Sequence, residues 1–147
     1  MRLKGEYSIK VQIPTMFKVY ELVIEDSNVV TDKGIEFIFK CLFSDNTEHI
    51  GNVCTGTNTK EASATDTAED FSLLWYLDDD VNIEIENNVL TYNIKTDGKK
   101  LDNTTEIGIM SDNKDSPTLI TRDKHDRYNI PQGSLINLKY KLTLYNL

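Results

Sequence analysis

Histidine is the side chain that most often moves protons near neutral pH, and this chain has two, His49 and His125. His49 opens a strand-like run, and His125 lies in the charged stretch DKHDR. No G-x-S-x-G elbow presents a nucleophile to either, so both read as surface histidines. Three consecutive acids, Asp78, Asp79 and Asp80, offer the carboxylate oxygens that calcium prefers. They lack the alternate acids and the glycine of an EF-hand loop and read as a solvated turn, with no metal assigned. Glu84, Glu86 and Glu106 could supply the paired carboxylates of a glycosidase. Glu84 and Glu86, however, share the strand face opposite Val81, Ile83 and Ile85, the wet side of a sheet. The hydroxyl-rich segment CTGTNTKEASATDTA contains no GxxxxGK pattern and so no phosphate cradle. These residues form no catalytic constellation and call for no cofactor; the chain reads as a non-enzyme.

Trp75 and Tyr76 could stack on a sugar ring, but the one tryptophan of a small β-rich chain more often fills its core. Cys41 and Cys54 are too few for a disulfide framework and have no CxxC spacing. Each lies in an apolar segment and is expected to be a buried free thiol, with a Cys41–Cys54 bridge reserved for an oxidising compartment. Acids outnumber bases by 24 to 16, a net charge of −8, which opposes direct binding to nucleic acid. The longest nearly apolar run, residues 35–43, is too short for a bilayer and contains Glu36 and Lys40. The N-terminal residues lack the apolar core of a secretion signal. The expectation is a soluble chain with no membrane insertion.

These residues are positioned by elements that the hydropathy pattern predicts. Tyr7, Ile9, Val11 and Ile13 alternate with polar residues as in a half-buried strand, which Pro14 ends. Residues 17–24 read as a second strand, closed by a turn at Asp26, Ser27 and Asn28. Ile35, Ile38, Phe39, Leu42 and Phe43 recur at helical spacing. A helix over about 32–43, capped by Thr31 or Asp32 and stopped at residues 44–46, is expected to lie on the sheet and close one end of the core. Residues 49–55 read as a strand, 67–70 as a helical turn and 71–77 as a strand. Val81, Ile83 and Ile85, then Leu90, Tyr92 and Ile94, form a hairpin turned by Asn87–Asn88. A turn at Asp97–Gly98 precedes strands at 105–109, 119–122 and 127–130. The strongest alternation runs through Ile136, Leu138, Tyr140, Leu142 and Leu144. The sum is one mainly-β domain over residues 1–147, an antiparallel β-sandwich of eight to nine strands with one amphipathic helix.

Four segments, VVTDKGIEFIFKCLF, HIGNVCTGTNTKEASATDTAEDF, NTTEIGIMSD and PQGSLINLKYKLTLYNL, occur in an order similar to that in bacteriophage tail- and neck-associated structural proteins. The first resembles their turn, glycine and amphipathic helix, and the second their GTGT-like turn and Asp-Thr-Ala stretch. The third resembles their Thr-x-Glu-Ile-Gly strand, and the fourth their closing strand. Cys54 before Thr55 departs from that pattern, as does the lack of a proline at 58–61. The resemblance implies a virion component, assembled in the host bacterial cytoplasm, that acts by homo-oligomerisation and by docking to other tail or neck proteins. Expected contact regions are the N-terminal strand and two loops, the first with Gly56, Thr57, Asn58, Thr59 and Lys60 and the second with Asp112, Asn113 and Lys114, because loops vary without disturbing a core. Gly51, Gly56 and Gly108 are expected to shape the sheet where the first loop packs or meets a neighbour. A receptor- or glycan-binding module and a small hydrolase are the alternative functions.

Overall fold

Alternation and turn chemistry place nine strands in one antiparallel sheet among the described residues, which in this computed structural model are 2–14, 19–44 and 47–145. The strands are β1 (Arg2–Pro14), β2 (Val19–Val30), β3 (Ile50–Gly56), β4 (Leu73–Tyr76), β5 (Asp80–Glu86), β6 (Val89–Asp97), β7 (Glu106–Ser111), β8 (Leu119–Lys124) and β9 (Leu135–Tyr145). Their spatial order is β4-β3-β7-β8-β2-β1-β9-β6-β5. The sheet curls into a half-barrel because β2 serves both halves. Its length from Val19 to Asn28 pairs with β1, while Val29 and Val30 pair with Arg122 and Thr121 of β8. The two layers expected of a sandwich are thus two halves of a single curled sheet. Phe17, Asp45 and Asn46, to which the sequence reading also assigned roles, lie outside the described residues.

Tyr7, Ile9 and Val11 of β1, Tyr92 and Ile94 of β6 and four alternate residues of β9 face Val53, Ile107, Ile109 and Ile120 across the core. Two hydroxyls tie the layers: Tyr92 donates to Gly51 O at 2.7 Å, and the Tyr140 and Thr121 hydroxyls lie 2.6 Å apart. The β7–β8 half is covered on its other face as well. Residues 57–72 lie over it, and Phe71 packs with Cys54, Met110 and Leu119 in a second apolar cluster. All six residues of β7 are therefore buried, as expected for a strand with no wet face.

The single α-helix among the described residues, α1 (Asp32–Phe43), begins where the Thr31 hydroxyl accepts from Gly34 N–H at 2.9 Å. Two strand assignments change. Asp26, Ser27 and Asn28 belong to β2 and not to a turn, because Tyr7, Glu6 and Gly5 of β1 stand opposite them. Residues 127–130 are not a strand, because their backbone is used elsewhere: Tyr128 N–H donates to Thr104 O, and Ile130 N–H to the Asp102 carboxylate. Asn87, at φ 55°, makes the β5–β6 turn as its tolerance of left-handed backbone predicts.

Candidate functional site

Docking of α1 differs from its expected orientation. The buried residues are Gly34 and Phe37, with Ile38 packed against the core from the same side. A Cβ on Gly34 would lie 2.6 Å from Ile120 O, so this glycine lets the helix backbone close directly onto β8. The Thr31 hydroxyl also donates to Leu119 O at 2.5 Å, fixing the entry point. Of the apolar stripe expected to face the sheet, only Ile38 does so, and its other four residues point outward. Ile35, Phe39, Leu42 and Phe43 are 40%, 45%, 58% and 79% exposed. The rings of Phe39 and Phe43 stack at 6.1 Å, and a groove of about 600 Å³ runs along the stripe between Asp32 and Lys40. The helix has two adjacent apolar faces, and hydrophobic periodicity alone does not choose between them. Ile83 and Ile85, which stand opposite Tyr92 and Leu90 on the edge strand β5, are also left exposed.

Beneath the 57–72 layer lies a polar cluster that sequence reasoning missed. Arg122 is fully buried; its Nε donates to Glu106 Oε1 at 2.9 Å, one terminal nitrogen to Asp66 Oδ2 at 3.1 Å and the other to Lys60 O at 2.7 Å. Glu106 Oε2 accepts the backbone N–H groups of Asn58 and Ser72 at 2.6 and 2.9 Å. Lys60 bridges Asp66 and Asp70 at 3.0 and 2.9 Å. Burial opposes the charge on Asp66, but the Ser63 N–H, Lys60 and Arg122 outweigh it and hold its carboxyl below the usual range. Every charge in this network is answered, as buried charges require. The available signal was a glutamate amid the apolar β7 run, which the sequence marks as unusual but does not pair.

The residues expected at an interface fall at opposite ends of β3. Gly56 is buried, and Asn58 is pinned by Glu106 and Asp70. Thr57 and Thr59 are exposed, and Lys60 is held by the network. At the other end Asp112 accepts from His49 N–H, Asn113 donates to Glu48, and Lys114 reaches Asp78 at 2.9 Å and the Tyr76 ring at 4.6 Å. The glycines meet their own chain: a Cβ on Gly108 would stand 2.2 Å from Thr121 O, and those on Gly51 and Gly56 would meet backbone of residues 110–112 and 72.

Trp75 is half-buried against the core, with the ammonium groups of Lys99 and Lys100 5.8 and 5.6 Å from its ring. Asp79 binds Lys100 at 2.6 Å. Neither cysteine is in a disulfide; Cys54 is buried as expected, whereas Cys41, in the last turns of α1, departs from that reading and is exposed.

His49 is exposed, 3.3 Å from Asp112. His125 departs from the surface reading: it is 8% exposed, its ring stacks on Tyr128 at 3.8 Å, and burial lowers its pKa. Nearby, Tyr7 donates to Asp123 Oδ2 at 2.6 Å. Burial, reinforced by Asp26, pushes the Asp123 carboxyl up to about 6, although the Tyr7 bond opposes the rise. A folded-state value above the unfolded one favours folding at low pH, and that contribution is lost as pH rises through about 6. Asp123→Asn should therefore raise the melting temperature relative to wild type at pH 8. The gain should fade as pH falls from 7 to 4. His125 is present in both proteins, so thermal melts of the pair across this range isolate Asp123; equal melting temperatures at pH 8 would contradict the assignment.

Compared with known proteins, the chain matches no family model, no curated protein and no solved structure.

Proposed function

We propose that this chain is a structural component of a bacteriophage virion, a tail, neck/collar or fibre-attachment subunit that works by assembling with copies of itself. The observation that carries the reading is the uncovered stripe of α1. Four large apolar side chains on one helix face form a contiguous patch of the kind that marks an interaction surface. Its rim carries Asp32, Glu36 and Lys40, with Lys40 paired to Glu36 at 3.2 Å within the helix. A second copy related by a twofold axis, its helix antiparallel, would lay stripe against stripe and oppose the two helix dipoles. Two of the segments resembling phage proteins meet in space, where Gly56 lies against Glu106. The other two motif contacts reach outside them: Gly34 seats the helix on Ile120, and Asp66 meets Arg122, both of β8. These motif residues help to hold the scaffold that presents the helix, which supports the reading.

Light scattering across a concentration series tests it. The wild type should run as a discrete oligomer, and Phe39→Asp/Phe43→Asp, altering two exposed side chains, should run as a folded monomer. A wild type that stays monomeric throughout, or a double variant of unchanged mass, would overturn the proposal.

A further inference from the structure

The outward face of the β1–β9–β6–β5 half has chemistry that self-assembly through α1 does not use. Register places Lys10, Asn137, Lys95 and Asp80 in one row across four strands, and Ser8, Lys139, Asn93 and Asn82 in the next. They line a shallow groove of about 440 Å³. It continues into a hollow of about 220 Å³ sharing Ser8 and Lys139, and into one of about 470 Å³ sharing Lys95 and Asn137. Together these form a trough along β9 from Leu135 to Lys141, about 20 Å at strand rise.

Two properties distinguish this face. In a chain with eight excess acids, described lysines elsewhere are engaged by an acid or by the Trp75 ring. Lys95, Lys139 and Lys141 form no ion pair among the described residues, and the Asn93 and Asn137 amides make no side-chain hydrogen bond there. The unused cationic and amide donors therefore gather in one trough. Asp80 lies at its β5 rim, and Glu6 and Asp26 at its Lys141 end.

We propose that this trough binds a linear acidic polysaccharide. β1, β9 and β6 are interior strands with their backbone groups committed to neighbours, so an extended peptide cannot add as a strand. Tyr7, the one aromatic bordering the trough, is buried in the core, so no exposed ring offers a platform on which bases or neutral sugars would stack. What it offers is closely spaced ammonium groups, about 7 Å apart along and diagonally across strands, among carboxamides and a hydroxyl. That combination fits repeated carboxylate or sulfate groups on a hydroxyl-rich chain.

Calorimetric titration at low salt with polygalacturonate and with dextran sulfate tests this and separates carboxylate from sulfate. One of the two should bind, neutral dextran should not, and an oligothymidylate should bind at least tenfold more weakly. Lys95→Glu/Lys139→Glu should weaken binding at least tenfold, whereas Lys99→Glu, the same change outside the trough, should alter it less than twofold. Lys95→Gln/Lys139→Gln serves as the milder pair should charge reversal disturb folding. No binding, equal loss in Lys99→Glu, or equal affinity for dextran or oligothymidylate would overturn the proposal. The self-assembly reading stands or falls separately, on native mass.

Discussion

Replacing Arg122 with leucine should cost about 3–5 kcal/mol of folding stability, the usual penalty when one partner leaves a buried ion cluster. The Glu106 side chain and Asp66 are both fully buried, and without the guanidinium Glu106 retains only the two backbone N–H groups that it accepts. Lys60 would still hold Asp66 from the solvent side, but Lys60 O would lose its donor. The damage should reach beyond β8, because this cluster ties residues 58–72 to the sheet. Limited proteolysis should cut that layer first. Urea unfolding of Arg122→Leu beside Glu106→Gln/Arg122→Leu gives the sharper test. The double variant removes one uncompensated charge and should recover part of the loss; a double variant less stable than the single one would mean that the ion pair is not the source of the penalty.

Gly34→Ala should reverse the usual sign of a glycine-to-alanine change in a helix. Alanine ordinarily stabilises such a position by about 1 kcal/mol. Here its Cβ would stand 2.6 Å from Ile120 O and 2.7 Å from Ile120 Cα, and the paired backbone of β8 cannot swing aside as a side chain can. Overpacking of this kind costs about 1–3 kcal/mol, so the variant should be less stable than wild type in denaturant titrations. The same displacement moves the α1 stripe relative to the sheet. Under the proposed self-assembly through α1, the variant should therefore also lose oligomer sooner on dilution than wild type, although no residue of the outward stripe has changed. Unchanged stability would mean that the helix does not rest on β8 through Gly34.

What the sequence determined by itself was local. Period-two alternation placed β6 and β9 with the correct face inward, since Tyr92 and Ile94, and Ile136, Leu138, Tyr140 and Leu142, are all in the core. Cap chemistry placed α1 at about 32–43 behind Thr31 or Asp32, of which Thr31 is the cap, and backbone preference placed the turn at Asn87–Asn88, where Asn87 takes the left-handed backbone. Each of these depends on residues a few positions apart, and their energetics are legible in a short window. The tertiary structure decided what depends on a distant partner. Asp26 and Asn28 carry turn propensity, yet they extend β2 because β1 runs opposite them. Nothing near Arg122 in the sequence names its partners, because Glu106 is sixteen residues away and Asp66 fifty-six. The helix carries apolar residues on two adjacent faces, and only the close approach permitted by Gly34 selects the one that is buried. Periodicity reports that a face is apolar; what covers it is settled by the contacts the chain makes elsewhere.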